Sequence, residues 1–133
     1  MIHIIYGNKG SGKTKRVIEA ANKRAGKSQG VVVYLTDRPE HSADVDSRAR
    51  FINIDKYGVG TPEGLYGFLQ GMVAGNYDIT DLFIDGLSRF IGRAPEDTEA
   101  VFEELSMISA ELKVDMTFTL SVAELPQSLL KYS

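Results

Sequence analysis

Apolar positions along this chain follow two rhythms: short runs apolar on both sides, and longer stretches where they recur every three or four residues. Ile2 to Tyr6 is an apolar run stopped by Gly7, too short for a helix, and reads as a buried strand. Lys13 to Ala25 reads as a helix. Val17, Ile18, Ala21 and Ala25 fall on one face, Lys15, Arg16, Glu19, Asn22 and Lys23 fall outside, and Gly26 serves as C-cap. "GVVVYLT" (30–36) is β-branched and apolar on both faces, the pattern of an interior parallel strand. "DRPEHSADVDS" (37–47) is polar, contains proline, and reads as a loop with some mobility.

"RFINI" (50–54) is a short strand. Thr61-Pro62-Glu63 marks a helix start, with threonine as cap, proline at the first helical position and an acid in the first turn. Leu65, Phe68, Leu69, Met72 and Val73 form the inward stripe of that helix. "DLFID" (81–85) is a buried strand. Pro95 to Lys113 is a helix with Val101, Leu105, Ile108 and Leu112 inward. "MTFTLSV" (116–122) is the last strand, and "LPQSLLKYS" a short terminal helix. Strands alternating with helices predict an α/β fold: a mainly parallel five-stranded sheet between helices, in three layers.

Composition narrows the chemistry. The 133 residues suit one domain; 43% are hydrophobic and 25% charged, ordinary for a protein with a real core. Without cysteine there are no disulfides, no cysteine zinc sites and no thiol catalysis. No apolar run approaches a membrane span, and the start shows no secretory pattern, so a cytoplasmic protein is expected. A net charge of −3 gives no general indication of nucleic-acid binding.

One stretch carries specific chemistry. "IIYGNKGSGKTKRV" spells G-x-x-x-x-G-K-[ST] between a predicted strand and a predicted helix, the context that the phosphate-cradling Walker A loop requires. The candidate nucleotide-binding residues are Gly7, Asn8, Lys9, Gly10, Ser11, Gly12, Lys13 and Thr14. Gly7 releases the chain from the strand, and Gly10 and Gly12 let backbone approach oxygen. Amides of residues 9 to 14 face phosphate at a helix N-terminus, whose dipole favours anions. Lys13 reaches the β- and γ-phosphates, and the Thr14 hydroxyl ligates Mg²⁺. The bland alternative is a glycine-rich turn beside a surface lysine.

On these residues the chain resembles the P-loop NTPases. "LFID" then places Asp85 at the end of an apolar strand, as in a Walker B motif, where the resemblance implies a hold on Mg²⁺ opposite Thr14. More closely, "IIYGNKGSGKT", "RFINIDKYG", "YGFLQGMVA", "LFIDG" and "LPQSLLKY" resemble the segments of a family of short bacterial P-loop proteins. Some of that family carry a twitching-motility ATPase label. The hexameric motility ATPases are several times longer and have histidine and aspartate boxes that this chain lacks.

The pattern departs from the RecA-like division at Gly86, where many hydrolysing members place glutamate. Relatives of RecA instead carry the acid after the next strand, which makes Asp37 and Glu40 the candidate catalytic acids here, with Lys13 as the phosphate-binding cation. Glu124 or a partner chain is the fallback source. The core is also similar to that of thymidine kinase, but that family has glutamate at the Gly86 position and a cysteine-bound zinc.

Arg89 and Arg93 are candidates for an arginine supplied to a neighbouring γ-phosphate, and Thr119 and Ser121 for γ-phosphate contact. Tyr57, Tyr66, Phe68, Tyr77 and Phe90 are core residues or base-stacking groups. His3 and His41 have no ligand spacing, so no histidine is expected at a metal. The expectation is an Mg-ATP (or other NTP) binding protein with slow hydrolysis. Self-association, or a partner supplying arginine or glutamate, would complete it. A small-molecule phosphotransferase and a nucleotide-dependent binding module with little turnover are the alternatives.

Overall fold

Five strands form one sheet, and all run parallel. The computed structural model covers residues 1–133. The strands are β1 (Ile2–Gly7), β2 (Val31–Thr36), β3 (Arg50–Asn53), β4 (Ile79–Asp85) and β5 (Asp115–Ser121). The helices are α1 (Lys13–Ala25), α2 (Pro62–Gly75), α3 (Leu87–Phe90) and α4 (Glu99–Leu112). Across the sheet the order is β1-β5-β4-β2-β3.

That order explains the layers. From β1 the chain crosses over two strands to β2, and α1 makes the crossing. The chain reaches the edge at β3, then returns through α2 to β4 and through α4 to β5. The outbound helix covers one face and the returning helices the other. Val17, Ile18 and Ala21 of α1 pack with Val32, Tyr34 and Phe83. Leu65, Leu69 and Val73 of α2, with Val101, Phe102, Leu105 and Ile108 of α4, pack with Val33, Leu35, Leu82, Ile84, Met116 and Phe118. Interior strands covered on both sides need apolar residues at successive positions, which is why 31–35 is a continuous apolar run.

Parallel pairing also gathers the carboxyl ends of the strands. Gly7 is level with Ser121, and Thr36 is level with both Asn53 and Asp85. On β4, Phe83 faces α1 while Leu82 and Ile84 face the other layer, so Asp81 and Asp85 share the α1 side. Arg24 of α1 accordingly pairs with Asp81 at 2.8 Å.

Several expectations need correction. The helix predicted from Pro95 to Lys113 is broken: Pro95–Asp97 is a single 3₁₀ turn, and α4 begins only at Glu99. Buried Thr98 donates its hydroxyl to the Pro95 carbonyl at 2.7 Å, a local bond that competes with continuing the helix. The polar stretch 37–47 contains a 3₁₀ turn, Pro39–Ala43. Asn22 fixes its far end, donating from Nδ2 to the Asp44 carbonyl at 2.9 Å and accepting from the Asp46 amide at 2.7 Å. The short terminal helix stands as a 3₁₀ segment, Gln127–Tyr132. The predicted start of α2 stands: the Thr61 hydroxyl accepts from the Gly64 amide at 3.0 Å, with Pro62 first in the helix. No helix is long and apolar enough to cross a membrane.

Candidate functional site

Between β1 and α1 the chain turns through residues 8–12, and its glycines divide the work. Gly10 and Gly12 have φ of +84° and +90°, a region costly for any residue with a side chain, although a Cβ at either would meet nothing nearby. Gly7 is crowded instead: a Cβ there would run into Ser11 Oγ, which would have to turn away. The loop is drawn in by the Ser11 amide, which donates to the Asn8 carbonyl at 3.0 Å. That amide is therefore committed inside the loop. The first intrahelical bond of α1 runs from Arg16 to Gly12, and no side chain caps the helix. Its first-turn amides are left open toward the carboxyl edge of the sheet, a natural position for an anion.

Lys13 is not the solvated charge expected of a surface lysine. It is 8% exposed, and its Nζ donates to the Asn8 carbonyl at 3.0 Å, folding the side chain back over the loop. Burial lowers its pKa, a shift opposed by the charge of Asp85 and reinforced by Arg16 and Arg89. An ammonium partly stripped of water and given one neutral acceptor is poised for an anion.

Thr14 and Asp85, which the resemblance sets opposite each other, are in contact. Thr14 Oγ1 donates to Asp85 Oδ2 at 3.3 Å. The other carboxylate oxygen, Oδ1, accepts from Thr119 at 2.6 Å, and Thr119 Oγ1 in turn accepts from the Gly86 amide at 3.2 Å. Thr119 thus holds Asp85 in orientation, a role the sequence reading did not assign. A hydroxyl and an oriented carboxylate suit a hard divalent cation such as Mg²⁺. No group of three or more His, Cys, Asp or Glu side chains gathers in the protein, so further oxygens must come from a ligand and water.

Gly86 has φ +96°, and a Cβ there would collide with the Arg89 guanidinium and lie 3.0 Å from Asp37 Oδ1. The side chain missing after Asp85 is thus replaced in space by an ion pair. Arg89 donates to Asp37 through Nη2 at 2.7 Å and through Nε at 3.2 Å. Burial acts to raise the Asp37 pKa, but the bonds and charge of Arg89, with the backbone amide, outweigh it and hold the carboxyl below its ordinary value. The bond from Asp37 correspondingly raises the Arg89 pKa.

These residues surround a cavity of about 430 Å³ at the carboxyl edge. Lys9, Lys13, Arg38 and Arg89 line it against a single carboxylate, Asp85. Apart from Pro95, no aliphatic or aromatic side chain contributes. None of the five proposed stacking aromatics lies there. Phe90 is buried in the core, Tyr57 packs on Phe68 along α2, Tyr66 also packs against the core, and Tyr77 is 87% exposed. Ser121 lines the cavity, while Glu40, Arg93 and Glu124 are exposed and make no ion pair. Sequence reasoning missed Arg38 and His41, which sit where the chain leaves β2; only their position just past a strand's carboxyl end signals them. His41 Nδ1 lies 3.7 Å from Asp85 Oδ2. Neither a scan against protein-family models nor a search of curated proteins finds a match for this chain.

Proposed function

We propose that this protein binds a nucleoside triphosphate with Mg²⁺ at the β1–α1 loop and, as an isolated chain, hydrolyses it slowly. One observation carries the reading: a cavity with four cationic side chains and one carboxylate, at an uncapped helix N-terminus, in a protein whose net charge is −3. A polyphosphate complements that arrangement, and a neutral or cationic ligand does not.

In this reading Lys13 exchanges the Asn8 carbonyl for phosphate oxygen, and the open amides of α1 take the remaining charge. Thr14 and Asp85 hold Mg²⁺, which neutralises and orients the phosphates when bound. Hydrolysis needs a water aligned on the terminal phosphorus. Asp37 accepts that water's proton as oxygen bonds to phosphorus and the bond to the leaving diphosphate breaks. Asp37 is favoured over Glu40 because its carboxylate stands beside Gly86, next to the metal-binding aspartate. The Arg89 clamp makes it a weak base in the free protein, and this supports slow turnover. Arg89 is available within the chain, so an arginine from a neighbouring subunit is not required.

The phosphotransferase reading has no comparable support. No further pocket for an acceptor molecule opens from this cavity's lining, which is given over to cationic and hydroxyl side chains. A thermal-shift panel of ATP, GTP, CTP and ADP with Mg²⁺, followed by phosphate release, tests the proposal. Similar shifts for the triphosphates and slow release are expected. No shift with any nucleotide would overturn it.

A further inference from the structure

Two buried polar atoms in this protein have no hydrogen-bond partner: His41 Nδ1 and the Tyr34 hydroxyl. Both lie near Asp85. His41 Nδ1 is 3.7 Å from Oδ2, and the Tyr34 hydroxyl, fully buried, feels the charges of Asp85 and Arg89. A buried ring nitrogen left unpaired is costly unless something completes it.

The separation itself is informative. At 3.7 Å, His41 Nδ1 and Asp85 Oδ2 are too far apart for a hydrogen bond. No other group in the protein fills the hydrogen-bonding capacity of that buried nitrogen. Ligands of one octahedral ion, with bonds of about 2.1 Å, stand about 3.0 Å apart when adjacent and about 4.2 Å when opposite. The observed 3.7 Å exceeds the adjacent spacing by about 0.7 Å, so the two groups become neighbouring ligands by closing that much when an ion binds. Asp85 Oδ2 is also the oxygen that Thr14 reaches at 3.3 Å, so the hydroxyl and the imidazole nitrogen both approach one carboxylate oxygen.

The convergence is built. Asn22 of α1 ties the Asp44 carbonyl and the Asp46 amide just beyond the 39–43 turn, and the His41 amide donates to the Arg38 carbonyl at 3.2 Å. Thr119 fixes Asp85 from the other side. We propose that His41 is a ligand to the divalent cation held by Thr14 and Asp85, giving this site a nitrogen donor that shifts its preference from Mg²⁺ toward Mn²⁺, Co²⁺ or Ni²⁺. The inference rests on the nucleotide-binding reading above and departs from the sequence expectation that neither histidine meets a metal. Imidazole nitrogen strengthens binding of these later metals more than that of Mg²⁺, which selects oxygen.

Pulsed EPR tests this without any variant. The chain has only two histidines, and His3 stands near the start of β1, away from the carboxyl edge. With Mn²⁺ and ATP bound, electron-spin-echo modulation is compared between unlabelled protein and protein with ¹⁵N in the histidine imidazole rings alone. Adenine and backbone nitrogens are untouched by that label. A modulation that changes with the isotope is expected, and it should vanish in His41→Gln. In that variant the affinity for Co²⁺ relative to Mg²⁺, measured as nucleotide binding with each metal, should fall by about tenfold or more. Bound Mn²⁺ whose modulation ignores the isotope overturns the role of His41 and leaves the nucleotide site standing. Failure of Mn²⁺ to join the wild-type protein with ATP overturns the nucleotide reading itself, and this inference with it.

Discussion

Arg89 donates to both carboxylate oxygens of Asp37, at 2.7 Å and 3.2 Å, and the pair occupies the space that a side chain at residue 86 would need. Two groups that a bound triphosphate would use separately are here tied to each other. The arginine suits phosphate oxygen and the carboxylate suits a water proton. A nucleotide that draws Arg89 away also frees the base.

Asp37→Ala and Glu40→Ala should therefore behave differently. Loss of a positioned base typically costs on the order of 10²–10⁴-fold in rate, and Asp37→Ala should lose turnover on that scale. Glu40→Ala should stay near wild type, because Glu40 is exposed and unpaired. Nucleotide affinity should change little in Glu40→Ala and should not fall in Asp37→Ala, where Arg89 is released for phosphate. Phosphate release alongside calorimetry checks this, and wild-type turnover in Asp37→Ala would remove Asp37 from the mechanism.

Gly86→Ala should destabilise the fold by about 1–3 kcal/mol, the usual cost of forcing a residue with a side chain into a sparsely populated backbone region. The φ of +96° and the collision with Arg89 contribute separately. In the double variant Gly86→Ala/Arg89→Ala the collision disappears and the backbone cost remains. Urea unfolding of the two single variants and the double should show a favourable coupling between the sites. Strict additivity would contradict the packing described.

Asp37 also predicts a pH dependence. Burial pushes its pKa up, but Arg89 and the backbone bond push it further down, so the folded value lies below the unfolded one. The ionised carboxylate therefore contributes stability in full above the unfolded value of about 3.9, and loses it as pH falls through the folded value. The stability difference between wild type and Asp37→Asn should be largest near neutral pH and shrink below about pH 4. A difference that stays constant into acid would mean that Asp37 gains nothing from Arg89.

Asp85→Asn keeps the shape of a side chain that accepts from Thr119 and Thr14 but removes its charge. Nucleotide affinity in the presence of Mg²⁺ should fall, while affinity in EDTA should barely move. Equal losses under both conditions would return Asp85 to a purely structural role.

Much of the fold was legible because burial leaves periodic marks. The 31–35 run, the α1 stripe through Val17, Ile18 and Ala21, and the Thr61-Pro62 start each record a local requirement. The break at Thr98 was not legible, because a hydroxyl bonding back to Pro95 leaves no periodic trace. The candidate site could be marked in the sequence where chemistry dictates spacing, as in Gly7 to Thr14 and Asp85. It was illegible where residues meet only through topology. Strand order alone brings Thr119 between β1 and β4, and Asn22 fixes the turn that carries His41. The motif marks Lys13 along the chain, but spacing says nothing about a side chain folding back on its own loop.

The most direct measurement is isothermal titration of Mg-ATP into wild-type protein and Lys13→Ala. The variant loses a bond to the Asn8 carbonyl and some packing, so its stability should drop by about 0.5–1.5 kcal/mol without unfolding. Wild type should bind one ATP per chain, and the folded variant should show no measurable heat of binding. Undiminished affinity in folded Lys13→Ala would contradict the assignment of this loop as the phosphate site.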